Sequence, residues 1–572
     1  MAQEFVDRLQ MQHRLFAELS RMFGREVPLY DKSLAVNRVC NRAACDLLAK
    51  KYNGFVMTDE DIERASGERH GAIRIGTPEE YRWIGRFFAV FAMHPHNFYD
   101  MANIGAKSQP IVATAFRSAL NPEHRVFTSL LLTDYFDGQT KQRIEAVLAE
   151  RQVFSDRAKE LIETHEREGG LDEAQASALI DEATGHIFKW TGKARDHALY
   201  TDLCEAGFKI AADIACFEAH HLNHLTPNTL CMDLYTAAMK RCMGELDDAA
   251  FRERASSALR GLDAMADRDH VRLHFRQLES GAIEKLTPME VGAADLAMVV
   301  ESIASTLGTG ELDLQSLPHA GFKDFTEGPA TGTPVLLRQD AYKALTEPVE
   351  FRSDDGSSTK AQHTARFGEI EQRFYATTPK GRKLYDECLA SAEQARADEP
   401  GLARTHPELF AARHAAHFQA LPKTLRGLLE EGLAYGRFSA TEAGRAAGEV
   451  QTTDPLELVN LGFAQYEGVR YEDFLPVSAA GIFASNLNQY GTTSTATERP
   501  TLTRADLEAI LGMAIIDTDA AYAGMQARSL LDLYAELGTA GRVPAETMSA
   551  LKEQAKACPD SIDAGARPVA TA

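Results

Sequence analysis

The chain is 572 residues long, 44% hydrophobic and 25% charged, an ordinary globular composition with length enough for a large core and more than one structural unit. A net charge of −22 leaves no basic surplus to neutralise phosphates or to dock on anionic lipid, which argues against nucleic-acid and membrane partners. Eight cysteines without a CxxC pair, no apolar run of membrane-spanning length and no signal-peptide core at the N-terminus point to a soluble cytoplasmic protein.

Residues 1–23 carry Phe5, Leu9, Phe16, Leu19 and Phe23 at helical spacing, and a second helix is expected over 33–50. Next comes Glu68-Arg69-His70-Gly71-Ala72-Ile73-Arg74-Ile75-Gly76, followed by Thr77-Pro78-Glu79-Glu80. Thr77 as N-cap, proline at the first helical position and glutamate at the third predict a helix start, so the preceding segment reads as a strand. On a strand, His70, Ala72 and Arg74 share one face, while Ile73 and Ile75 face a core. A lone strand histidine usually makes only a hydrogen bond, but beside an arginine fork an anion site is the better reading.

Strands are expected at 111–116 and 125–132, then helices over about 139–212 with solvated faces rich in Glu and Lys. Phe217-Glu218-Ala219-His220-His221-Leu222-Asn223-His224-Leu225-Thr226-Pro227 is the densest imidazole cluster of the chain, and imidazole is a common nitrogen ligand for transition metals. Spacing does not choose among the three histidines; Pro227 places His224 near a strand exit or turn. Residues 236–316 read as an inserted helical region without a motif, a scaffold or contact surface. Strands resume at 334–338 and 348–352, Thr378-Pro379 starts another helix, and 384–450 reads as mostly helical. His94 with His96, and His414 with His417, match no ligand pattern. Tyr471-Glu472-Asp473-Phe474-Leu475-Pro476-Val477-Ser478-Ala479-Ala480-Gly481 combines acids with a loop of small residues that lets a ligand approach the backbone. The expected organisation is one catalytic unit over 1–490, a helical region over 491–557 and a disordered tail over 558–572.

The most informative stretch is His363-Thr364-Ala365-Arg366-Phe367-Gly368-Glu369-Ile370-Glu371-Gln372-Arg373. Read as one strand, it sets His363, Ala365, Phe367, Glu369, Glu371 and Arg373 on a single face. An exposed edge laced with Glu–Arg pairs is the plain reading of such a run. Buried, that face would need a cation, because uncompensated charges cost several kcal/mol each. No phosphate-binding glycine loop and no nucleophile elbow occurs. Two histidine segments and one carboxylate segment remain, the donor set of non-haem Fe(II) oxygenases with two imidazoles and one carboxylate.

The segments ERHGAIRIGT, RVFTSLL, HLTP, VLLRQ, HTARFGEIEQR, TTPKGR and YEDFLPVSAAGIF resemble those of the 2-oxoadipate dioxygenase/decarboxylase family, the hydroxyglutarate synthases. The resemblance runs from about residue 25 to 490 and departs from the family pattern at Asn228, Phe374 and the 236–316 region. It implies an α+β fold with a cupped mixed sheet of vicinal-oxygen-chelate type surrounded by helices. It implies Fe(II) held by His70, His224 and Glu369, substrate held by Arg74 with Val477 and Ser478 lining the pocket, and supporting roles for His363, Arg366 and Glu371. The implied reaction takes 2-oxoadipate and O2 to 2-hydroxyglutarate and CO2, a step of lysine catabolism. A glyoxalase-like lyase or isomerase using Zn or Ni on the same core, or a non-catalytic 2-oxo acid binding protein, are the competing expectations.

Overall fold

Two long helices open the chain, α1 (Arg8–Glu26) and α2 (Pro28–Lys51), in a computed structural model that describes residues 4–103, 108–118, 123–276, 278, 280–353, 356–448, 450–474 and 501–558. The apolar stripe Met11, Leu15, Phe16, Leu19 and Phe23 of α1 is buried, as its 3.6-residue period requires. Strand β1 (Arg69–Ile75) then feeds α3 (Pro78–Val90). The junction is a capping box: the Thr77 hydroxyl accepts from the Glu80 N–H, and the Glu80 carboxylate accepts from the Thr77 N–H.

Strands β2 (Met93–Asp100), β3 (Ile111–Ser118), β4 (His124–Leu131) and β5 (Lys193–Arg195) follow, then α4 (Lys209–Cys216) and β6 (His224–Pro227). A five-stranded sheet runs in the order β2-β3-β4-β1-β6, with β1 parallel to β4 and the other neighbours antiparallel. Its two faces bury different cores. Ile73, Ile75, Val112, Val126 and Leu130 pack with the opening helices, whereas Ala72, Ala113, Phe127 and Leu131 pack with α4. The alternation read from the sequence around His70 therefore holds.

Helices α5 (Met232–Cys242), α6 (Asp248–Met265) and α7 (Ala293–Leu307) occupy the region expected to be helical and pack against α2. Strands β7 (Leu337–Ala341), β8 (Leu345–Arg352), β9 (Ser358–Arg366) and β10 (Glu369–Arg373) come next. The run 363–373 is thus two strands in two sheets. β9 pairs with β8, which pairs in turn with β5, while β10 pairs with β7. The break falls at Phe367–Gly368, where a Cβ on residue 368 would collide with the Tyr342 ring. A bridge between Asn228 and Glu371, with the Thr229 N–H donating to the Glu371 carbonyl at 2.8 Å, sets β10 beside β6. Strands β1, β6 and β10 consequently lie side by side.

Beyond α8 (Pro379–Asp398), the expected helical region 384–450 also contains strand β11 (Gly436–Ala440), paired antiparallel with β12 (Ala464–Gly468). Helix α9 (Thr518–Glu536) packs across β11. The fold is α+β with mixed sheets, as expected.

Candidate metal centre

Three adjacent strands each contribute one donor. β1 presents His70, β6 presents His224 and β10 presents Glu369, with one ligand-type atom of each inside a cluster 4.8 Å across. In the β1–β6 register Ala72 faces His224 and His70 faces Thr226, so the period of two puts both imidazoles on the same side of the sheet. Glu369 Oε2 lies 3.2 Å from His70 Nε2 and 3.5 Å from His224 Nε2. All three side chains are sealed from solvent. The imidazole planes stand at 88° to each other, with Phe474 edge-on to His70 and Phe367 against His224.

Several of these polar atoms have no hydrogen-bond partner among the described residues. Both His224 nitrogens and Glu369 Oε1 make no hydrogen bond. Burying such groups unpaired costs about 1–3 kcal/mol apiece, more when charged, so an occupant between them is what the arrangement is built for. Two imidazoles and a carboxylate meeting at one point fit a divalent transition metal. Thr226 Oγ donates to Glu369 Oε2 at 2.9 Å and fixes the carboxylate plane.

The electrostatics agree. Burial disfavours the His70 imidazolium, but the Glu371 and Glu369 carboxylates outweigh it and raise the His70 pKa. Burial pushes His224 down to about 4 against the pull of Glu369, with His70 and Arg74 adding to the fall. Burial raises Glu369, yet His224 and His70 overcome it and keep the group an anion. Negative charge is held at the point where a cation would sit.

The remaining expectations divide. Glu371, two residues along β10, faces His70 Nδ1 at 2.9 Å. Arg74 extends from the same face of β1 as His70, and its guanidinium pairs with Asp213 on α4. His363 and Arg366 lie on β9, across the break at Gly368 from the cluster. His363 joins Asp213 and His221, and Arg366 pairs with Glu347 and Glu26 beneath the Trp190 ring. Of the clustered histidines, His220 lies 3.3 Å from Glu80 and only His224 joins the centre. His224 stands at the entry of β6, and Pro227 ends the strand. Val477 and Ser478 lie outside the described residues.

With this geometry in hand, the sequence model of the 2-oxoadipate dioxygenase/decarboxylase family matches residues 15–250 and 313–486. A Pseudomonas putida protein named 2-oxoadipate dioxygenase/decarboxylase is 35% identical over 539 residues, covering 92% of this chain and 97% of its own length. The chain belongs to the 2-oxoadipate dioxygenase/decarboxylase family. An Escherichia coli protein of that name is 30% identical over 526 residues, 89% of this chain and 95% of its own. The crystal structure of hydroxyglutarate synthase in complex with 2-oxoadipate from P. putida superposes with a TM-score of 0.64 at 33% identity, over 94% of this chain and 100% of that one.

This member of the 2-oxoadipate dioxygenase/decarboxylase family surrounds its donors with charges that the sequence did not single out. Arg373 donates to both Glu371 oxygens at 2.8 and 2.9 Å, and Arg125 on β4 lies 3.6 Å from the same carboxylate. Arg125 also pairs with Glu68 at 2.8 Å and with Glu472. Burial alone would raise Glu371, but Arg373, His70 and Arg125 hold it well below the usual carboxylate range. Arg125 sits opposite His70 in the β1–β4 register and so shares its face, a relation visible only once the strands are paired.

Proposed function

We propose that this chain is an Fe(II)-dependent dioxygenase/decarboxylase that converts 2-oxoadipate and O2 to 2-hydroxyglutarate and CO2 in the cytoplasm. The observation carrying this reading is the meeting of His70, His224 and Glu369, with unpartnered atoms turned inward, in a chain of this family. Those three residues would hold the iron. Bound there, the ion would activate O2 and hold the 2-oxo acid.

The chain's own groups do the positioning. Glu371 sets negative charge against His70 Nδ1, which favours the proton on that nitrogen and leaves the Nε2 lone pair towards the centre. Arg373 and Arg125 keep Glu371 ionised. Thr226 orients Glu369 through its hydroxyl. Phe474 and Phe367 close the apolar sides of the imidazoles and exclude water, which strengthens every charge inside. Arg74 takes the distal carboxylate of the substrate in this reading and so sets the accepted chain length; with no substrate present, its fork is engaged by Asp213.

O2 consumption by the Fe(II)-loaded protein with 2-oxoadipate, beside 2-oxoglutarate and a Glu369→Ala control, tests the proposal. Uptake with CO2 and 2-hydroxyglutarate as products, absent in the control, is expected. A metal-loaded protein that consumes no O2 with either acid would overturn the assignment.

A further inference from the structure

Asp213, His221 and His363 form a second cluster with the same donor set as the first. His221 Nε2 lies 3.3 Å from Asp213 Oδ1 and His363 Nε2 lies 3.5 Å from that oxygen, and all three atoms fall within 4.8 Å of one another. These separations nearly repeat the 3.2 and 3.5 Å of the centre built on Glu369. Each of the three residues is buried: Asp213 at 2%, His221 at 4% and His363 at 0% exposure. Yet among the described residues Asp213 Oδ1, His221 Nε2 and His363 Nε2 make no well-aligned hydrogen bond.

Two plain N–H donors to a carboxylate would sit at about 2.9 Å and be aligned with it. Here they are farther away and not aligned. Ligands bonded at about 2.1 Å and set at roughly 90–110° about a metal lie roughly 3.0–3.4 Å apart, close to the spacing seen. The outer atoms of two of the donors are also engaged as ligands require. Tyr200 Oη lies 2.8 Å from His363 Nδ1, and Arg74 holds Asp213 through its other oxygen. Trp190 and Phe217 pack on both imidazoles and wall the cluster off.

We propose that Asp213, His221 and His363 bind a second divalent transition-metal ion, which braces α4, the approach to β6 and β9 against one another and fixes the guanidinium of Arg74. The class of ion follows from the donors: imidazole nitrogen with one carboxylate suits Zn, Fe, Co or Mn, not Ca or Mg. Arg74 and Lys209 are cations near the cluster, so this site binds more weakly than the one at Glu369. The proposal goes beyond the reaction above and does not rest on it.

Equilibrium dialysis of the full-length apo protein against Co(II), with metal per chain and the cobalt absorption spectrum as readouts, tests it. Wild type is expected to take two equivalents, the second weaker. Glu369→Gln, His221→Gln and His363→Gln are each expected to take one, the last two retaining the spectrum that depends on Glu369. A single equivalent in wild type that Glu369→Gln abolishes would overturn the proposal. So would two equivalents that survive both histidine substitutions. A single equivalent lost in His363→Gln but kept in Glu369→Gln would support this site and sink the other. If the histidine variants do not fold, Asp213→Asn takes their place and is likewise expected to take one equivalent.

Discussion

Glu371 Oε2 lies 2.9 Å from His70 Nδ1, on the opposite edge of the imidazole from Glu369, which lies 3.2 Å from Nε2. One face of β10 therefore reaches both nitrogens of a single ring. Glu369 points into the cluster, and Glu371 holds the ring from behind.

Replacing the rear carboxylate should weaken metal binding without removing a ligand. Glu371→Gln is expected to lower affinity about 10–100-fold, in line with the loss of a partner behind a ligating histidine. Competition with a chromophoric chelator measures it. Unchanged affinity would mean that Glu371 serves only to neutralise Arg373 and Arg125.

Thr226→Val removes the hydroxyl that donates to Glu369 at 2.9 Å. A hydrogen bond to a charged group is worth about 1.5–3 kcal/mol. Metal affinity should fall roughly tenfold while the circular dichroism spectrum stays that of the parent. If titration shows equal affinities, the Glu369 carboxylate is oriented by its imidazole neighbours alone.

Gly368→Ala is expected to disturb the centre although residue 368 itself offers no ligand. A Cβ there would fall on the Tyr342 ring, which is buried and has little room to move. The adjoining Glu369 must shift with its backbone. We expect a lower melting temperature and weaker metal binding together; a variant that loses neither would show that the Tyr342 ring can give way.

Glu472 links stability to pH. Burial would raise its pKa, but Arg276, Arg125 and Arg470 lower it from the ordinary 4.5 to about 2. A carboxylate depressed in the folded state contributes stability that is fully present above the unfolded value and is lost as pH falls through the folded one. Urea midpoints of wild type and Glu472→Gln should therefore differ by a constant amount at pH 6 and above, and converge from about pH 4.5 down to 2. A gap that persists at the acid end would contradict the ion-pair account.

What the sequence disclosed was local. The face shared by His70 and Arg74 and the capping box at Thr77 follow from alternation and from a motif three residues long, and both stand in the structure. The family resemblance supplied what spacing did not, the choice of His224 over His220 and His221. In the fold His220 faces Glu80 and His221 faces Asp213, both distant in sequence, while His224 lies beside His70 and Glu369. The stretch 363–373 misled, because its alternation runs unbroken through Gly368 while the need for glycine there comes from Tyr342, remote in sequence. Asp213 was passed over, although an acid inside the apolar run of α4 is a legible oddity: such a charge is costly unless something is placed to meet it.

His70 and Glu369 are 299 positions apart, and His224 comes from a third strand between them. On the proposed ligand set, no fragment that ends before β10 can offer the complete donor set, so high affinity for the metal would be acquired only when β1, β6 and β10 have closed against one another. Loop-closure entropy has by then been overcome by the rest of the fold, and the ion meets a site already shaped. The same linkage works in reverse: an ion that binds only the closed chain raises the free energy of opening by mass action. On that ligand set, metal supply would act as a selection on finished molecules, and chains that stall short of closure would stay empty.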